Sequence, residues 1–208
     1  MKGRFVVLEG IDGSGTSTQA KLLHNFLKRN HRESSLTFEP SSGPIGDFIR
    51  NILWGKIKLT DNDLHREEQL SFLFAADRAN HLQREGDGIE TCLKKGMDVI
   101  CTRYILSSLA YHSYNYDFIK YLNKNFLKPD ITFYLDVSPH VAIQRINKNR
   151  KPDLNENLEN LKRVKRNYED AFQISSLPFI RIDGNQEEEI IHRQIVEALK
   201  IIPLRLPE

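Results

Sequence analysis

Apolar positions along this chain alternate between short continuous runs and longer stretches at helical spacing. Phe5 to Leu8 is an unbroken apolar run ending in Glu9-Gly10, as suits a strand covered on both faces within a parallel sheet. Ala20, Leu23, Phe26 and Leu27 then recur at helical spacing, which predicts a helix from near Ser17 to between Arg29 and His31. Leu36 to Phe38 reads as a second strand, followed by Glu39-Pro40, a glycine-bearing turn and the helix PIGDFIRNIL. A long helix is expected from about Arg66 to Arg84, because EEQLSFLFAADRANHLQ contains no breaker. Its apolar positions cover more than one stripe, so it should be well buried. DVICT at 98–102 predicts the third strand, with a helix around Leu106 to Tyr114 after it. The strand DITFYLDV at 130–137 and a helix at Pro139 to Ile146 follow. Residues 147–157, NKNRKPDLNEN, are polar, charged and interrupted by Pro152, and read as a mobile lid before the basic helix LENLKRVKRNYEDAF. A last strand, PFIRID at 178–183, and a helix from Glu187 to Lys200 complete the pattern.

Strands alternating with helices predict an α/β fold, an open parallel five-stranded sheet flanked by helices in three layers. Ligands of such sheets sit at the carboxyl ends of the strands. The positions so marked are Glu9 to Ser17, Glu39-Pro40, Thr102-Arg103 and Asp136. A length of 208 residues suits one domain spanning 1–208. With 30 Lys plus Arg against 28 Asp plus Glu, the net charge of +2 shows no basic excess of the kind that marks nucleic-acid binders. Any anion site must therefore be local. Cys92 and Cys101 lack metal-ligand spacing and read as buried thiols of a reducing compartment. No apolar stretch approaches the length of a membrane span, and the expected location is the cytoplasm.

GIDGSGTSTQ, residues 10–19, follows the phosphate-binding pattern GxxxxGK[S/T] except that Thr16 stands where lysine belongs. Gly10, Gly13 and Gly15 let the backbone turn its N–H groups inward across Ile11, Asp12 and Ser14, and the following helix adds its N-terminal dipole. Ser17, with Thr18 beside it, would place its hydroxyl on Mg²⁺. Phe74 and Arg78, four residues apart on one predicted helix, project from the same face. Arg103 follows a strand end, where its planar fork of donors can grip a phosphate in a bidentate way.

LEGIDGSG, FEPSSGPIG, LFAADRANH, TRYILSSLAY and the arginines around Arg150 occur in the order found in the thymidylate kinase family, and over nearly its whole length the chain resembles that family. The resemblance implies a phosphate-loop NTPase-type fold and transfer of the ATP γ-phosphoryl group to dTMP, with Mg²⁺ required and a homodimer as the assembly. It implies that Phe74 stacks on thymine, that Arg78 hydrogen-bonds a base carbonyl, and that Ser107, Ser108 and Tyr111 contact the nucleoside. Asp12 would meet the sugar 3′-hydroxyl, and Glu39 would join it or the metal. The family divides by whether its extra catalytic arginine stands in the phosphate loop or in the lid. The loop position here is Gly13, so the charge is expected from the lid, where Arg145, Lys148, Arg150 and Lys151 are available. Arg150 is the expected phosphoryl contact, Arg145 joins the ATP site, and the two lysines are expected to be solvated.

Thr16 and Thr102 depart from the family pattern, which has Lys and Asp there. One change removes a positive charge and the other a negative one, so the two are expected to have changed in concert. His112 replaces a glutamine common in the family. Two other readings rest on these departures: a catalytically weak or silent nucleotide-binding protein, and a kinase for another nucleoside or nucleotide.

Overall fold

The computed structural model describes residues 3–112, 115–149 and 157–202. Five strands, β1 (Phe5–Glu9), β2 (Ser34–Phe38), β3 (Asp98–Thr102), β4 (Ile131–Asp136) and β5 (Phe179–Asp183), form one parallel sheet in the order β2-β3-β1-β4-β5. The expected α/β architecture is the one observed. Phe5 and Val7 of β1 pack into one apolar cluster and Val6 and Leu8 into another, so the unbroken run FVVL serves both faces of the central strand. The outer strands β2 and β5 are more exposed, with Leu36 and Phe38 on the surface.

The helices described are α1 (Thr16–Arg29), α2 (Pro44–Leu53), α3 (Asp63–Gln83), α4 (Ile89–Lys94), α5 (Ile105–Tyr111), α6 (Tyr116–Asn123), α7 (Pro139–Asn149), α8 (Leu158–Ser175) and α9 (Glu188–Lys200). Helix α3 starts three residues before the expected Arg66, because the Asn62 side chain caps it by accepting from the His65 N–H (3.0 Å). Two short helices, α4 and α6, lie where the apolar pattern indicated no element. Each is held by packing: Cys92 and Leu93 of α4 and Ile119 of α6 join the same buried cluster. Helix α7 runs on to Asn149, into the stretch expected as the lid, and α8 begins at Leu158; Arg150, Lys151 and Pro152 lie outside the described residues.

The chain leaves β1 through α1 toward β2 on one side, and leaves β3 through α5 and α6 toward β4 on the other. Neighbouring strands whose connections diverge in this way leave a crevice between their carboxyl ends. Leu8 pairs with Thr102, and the Arg103 N–H donates to the Leu8 carbonyl at 2.9 Å, so the phosphate loop and the Arg103 turn open side by side into that crevice.

Candidate active site

Two cavities meet at the crevice. The larger, of about 510 Å³, is walled by the loop Ile11–Thr18 together with Arg103, Arg145 and Lys148. The smaller, of about 260 Å³, is lined by Asp12, Glu39, Phe74, Arg78, Arg103, Ser107, Ser108 and Tyr111, with Pro40, Leu53, Tyr104 and His112 completing it. Asp12 and Arg103 line both.

The loop's shape follows from its glycines. Gly13 has φ 78°, and a Cβ there would stand 2.4 Å from the Ala142 carbonyl oxygen of α7, so no side chain fits at this position. An arginine could not have been carried there, in keeping with a phosphate loop that has none. Gly15, at φ 97°, is the N-cap of α1, whose first residues Thr16 and Ser17 face the larger cavity. Of the residues assigned to the phosphate site, Gly10 alone among Gly10–Thr18 is not on the cavity wall, and Arg145 is on it. Lys148, expected to be solvated, lies on the same wall although its side chain is exposed. The apolar-pattern reading also passed over Gln19, whose Nε2 donates to the Glu188 carbonyl at 2.8 Å and ties the cavity floor to α9. Thr102, expected near the phosphates, lines neither cavity.

At the junction, Arg103 Nη2 donates to Asp12 Oδ1 at 2.6 Å and the Tyr111 hydroxyl donates to Asp12 Oδ2 at 2.8 Å. The Arg103 guanidinium also lies 4.8 Å from the centre of the Tyr111 ring. Burial works against the Arg103 charge, but Tyr111 and Asp12 outweigh it, and the group stays cationic. Burial pushes the Tyr111 hydroxyl well above its ordinary range, so it stays a donor. Arg103 itself has φ 65°, an uncommon conformation for a residue with a side chain.

Glu9 holds that turn. Its fully buried carboxylate accepts from the N–H groups of Tyr104 (2.8 Å) and Ser107 (3.2 Å), from the Ser107 hydroxyl (2.5 Å) and from the Tyr168 hydroxyl (3.0 Å). These bonds satisfy N–H groups at the start of α5 that no turn of helix can reach. Burial raises the Glu9 carboxyl, against the lowering effect of Ser107, Arg103 and Tyr168. Sequence reading marked Glu9 as a strand end beside the ligand crevice but gave it no part in holding this turn; its partners come from positions about a hundred and more residues away.

In the smaller cavity Arg78 is 1% exposed, far from the solvated state usual for arginine. Its Nε and Nη2 donate to Glu39 Oε2 at 2.9 and 2.5 Å, Nη2 also donates to Ser108 Oγ at 3.1 Å, and Nη1 donates to Asn123 Oδ1. Burial opposes the charge and the Glu39 carboxylate more than restores it. A guanidinium has five N–H donors, so one on Nη1 is left uncommitted by these contacts. Glu39 is thereby occupied by Arg78, with His81 Nδ1 at 3.4 Å from its other oxygen. The neighbouring motif residue Asp77 works from behind: it accepts from the Ser41 N–H and hydroxyl, both at 2.6 Å, and so fixes the turn that carries Glu39-Pro40. Phe74 stands half-buried on the cavity wall, with the His112 ring centre 5.3 Å away.

The sequence model described as Thymidylate kinase matches residues 8–195. A "Probable thymidylate kinase" of Methanocaldococcus jannaschii is 39% identical over 203 residues, covering 96% of this chain and 97% of its own length. Another from Pyrobaculum aerophilum is 38% identical over 199 residues, covering 94% of this chain and 96% of its own. A "Thymidylate kinase" of Trichodesmium erythraeum is 32% identical over 217 residues, covering 94% of each. A family match running from the end of the first strand to the last helix, with relatives aligned along almost their full lengths, agrees with the two joined cavities: the chain belongs to the thymidylate kinase family.

Proposed function

We propose that the protein transfers the γ-phosphoryl group of ATP to dTMP, giving dTDP and ADP. The observation that carries this reading is the pair Asp12 and Arg103, which stands on the wall of both cavities. ATP in the larger cavity would lay its phosphates along the loop N–H groups at the start of α1. dTMP in the smaller cavity would stack its base on Phe74, meet the open donor of Arg78, and set its phosphate against Arg103. Asp12 would orient both Arg103 and the sugar, with Ser107, Ser108 and Tyr111 around the nucleoside. A phosphate oxygen of dTMP then attacks the γ-phosphorus while the bridging oxygen leaves with ADP.

Such transfer needs mainly alignment and charge stabilisation, because little covalent chemistry falls to the protein. Thr16 supplies no charge, and the cations available around the phosphates are Arg103, Arg145 and Lys148, to which we add Arg150 as the lid's contribution. Ser17, exposed at the first turn of α1, offers a hydroxyl oxygen to a Mg²⁺ ion. One protein oxygen suits an ion that keeps several waters and takes other ligands from the nucleotide phosphates. When bound it would neutralise charge between the β and γ groups.

The test is ADP release with ATP, Mg²⁺ and a panel of monophosphates. We expect dTDP from dTMP, with dTMP preferred over dCMP, dGMP and dAMP. If ADP appears no faster with dTMP than with no acceptor, the reading fails.

A further inference from the structure

Asn123 ends α6 and stands on the wall of neither cavity at the crevice. Its side chain is nevertheless buried, and its Oδ1 accepts from Arg78 Nη1. Its Nδ2 donates to the Ile119 carbonyl, one helical turn back, at 2.7 Å. These two bonds fix which way the amide faces. Turned over, it would set N–H groups against the guanidinium and an oxygen against a carbonyl, leaving each of them buried and unpaired.

What the bond to Arg78 contributes depends on how the rest of the guanidinium is held. Nε and Nη2 both donate to one oxygen, Glu39 Oε2, which works as a pivot about which the planar group can turn. The guanidinium lies 4.7 Å from the centre of the Tyr104 ring and 5.8 Å from that of Phe126, and rings over its faces limit tilting but not a turn within the plane. Ser108 Oγ, 3.1 Å from Nη2, can follow such a turn, because a hydroxyl rotates to suit its partner. The amide of Asn123 cannot follow, being tied to Ile119. It also takes one of the Nη1 hydrogens, and so sets the direction of the other.

We propose that Asn123 is a positioning residue for the acceptor: it stops the swing of Arg78 and aims the open Nη1 donor into the smaller cavity. The proposal rests on the reading of that cavity as the monophosphate site and adds to it a residue of α6 that works only through Arg78. A donor aimed before the acceptor arrives spares binding the loss of freedom that ordering it would otherwise impose.

Steady-state kinetics on the full chain, with each substrate varied in turn, test this on the wild type, Asn123→Leu and Asn123→Asp, after thermal melts have shown each to be folded. Asn123→Leu, which keeps the branching of the side chain without its acceptor, should raise the KM for dTMP by about tenfold and leave the KM for ATP unchanged. A merely structural role would lower the folded fraction, and kcat with it, and would leave both KM values alone. Asn123→Asp, which keeps an oxygen facing Nη1, should bring the KM for dTMP most of the way back. A double-mutant cycle with Arg78→Lys asks whether the effect passes through Arg78: in that background Asn123→Leu should add less than about twofold, because residues acting as one unit are not additive. An unchanged KM for dTMP in Asn123→Leu, an equal rise for ATP, no recovery in Asn123→Asp, or additive effects in the cycle overturns the proposal. If Asn123→Leu does not fold, Asn123→Ala makes the same comparison. Should the wild type release ADP no faster with dTMP than without it, the acceptor-site reading falls and takes this inference with it. If dTMP is used and only its KM fails to move, the inference falls alone.

Discussion

Phe74 and Arg78 lie on one face of α3 but cannot be tested in the same way. Phe74 is half-buried at the cavity, so Phe74→Ala removes a stacking partner while leaving the polar network whole. We expect the KM for dTMP to rise by roughly 10-fold or more, as for the loss of about 1–3 kcal/mol of base stacking, with the KM for ATP little changed. Arg78→Ala also leaves the Glu39 carboxylate buried without its arginine and with only the long 3.4 Å contact to His81 Nδ1, which costs about 3 kcal/mol of stability on its own. That variant should therefore melt earlier as well as bind dTMP more weakly. Steady-state kinetics with each substrate varied, alongside a thermal melt, separates the two effects. Equal loss of affinity for ATP and dTMP in Phe74→Ala would place the residue outside the acceptor pocket.

Among the elements, the start of β3 is fastened to both neighbouring strands through one carboxylate. Asp98 is buried and accepts from the Arg4 N–H (2.8 Å), from Arg4 Nη2 (2.6 Å) and from Arg32 Nη2 (2.9 Å), residues that lead into β1 and β2. Burial pushes its carboxyl up, but hydrogen bonds from Arg32 and Arg4 outweigh that and hold it below the usual carboxylate range. A carboxyl depressed by folding contributes stability that is fully present above its unfolded value of about 3.9 and is lost as pH falls through the folded value. Asp98→Asn should thus destabilise the protein at neutral pH, toward the lower end of about 3–5 kcal/mol because Arg32 is partly exposed. It should also flatten the acid limb of the stability curve below about pH 4. Denaturant midpoints between pH 3 and 7 for both proteins would check this; parallel curves would show that Asp98 does not carry the acid sensitivity.

For the molecule as a whole, some exposed apolar side chains lie on or beside α2, α3 and α6, namely Phe48, Trp54, Leu64, Phe72 and Tyr121, while others, Leu36, Phe38, Phe179, Ile190 and Ile201, lie on or beside β2, β5 and α9. Phe72 also packs edge-on against Phe118, at 5.2 Å between ring centres. A homodimer, implied by resemblance to the family, would cover such a surface, since contiguous apolar patches on a protein generally mark contacts. Light scattering should give twice the monomer mass for the wild type, and Phe72→Arg should shift it toward the monomer at micromolar concentration. A wild-type protein that stays monomeric would remove the homodimer from the reading.

Periodicity alone determined the five strands and the long helices, because a strand buried on both faces must read as FVVL or DVICT, and a helix without breakers must read as α3 does. Motif spacing located the phosphate loop, whose glycines carry their conformational meaning locally. The residues that family resemblance singled out for the nucleoside, from Asp12 and Glu39 to Tyr111, lie together on the wall of the smaller cavity, with Pro40, Leu53 and Tyr104 beside them. Tertiary structure decided what those side chains are free to do. Glu39 is committed to Arg78, Arg78 keeps one donor, Thr102 stands off both cavities, and Lys148 stands on the wall of one. The short helices α4 and α6 were illegible for a related reason: too brief to show a period, they exist because the core they pack against is assembled from distant strands and helices. Glu9 and His112 show the same limit at a single residue. Nothing beside Glu9 in sequence says that it caps α5, and nothing beside His112 says that its Nδ1 is buried with no partner among the described residues, since both conditions are set by atoms brought together from remote parts of the chain.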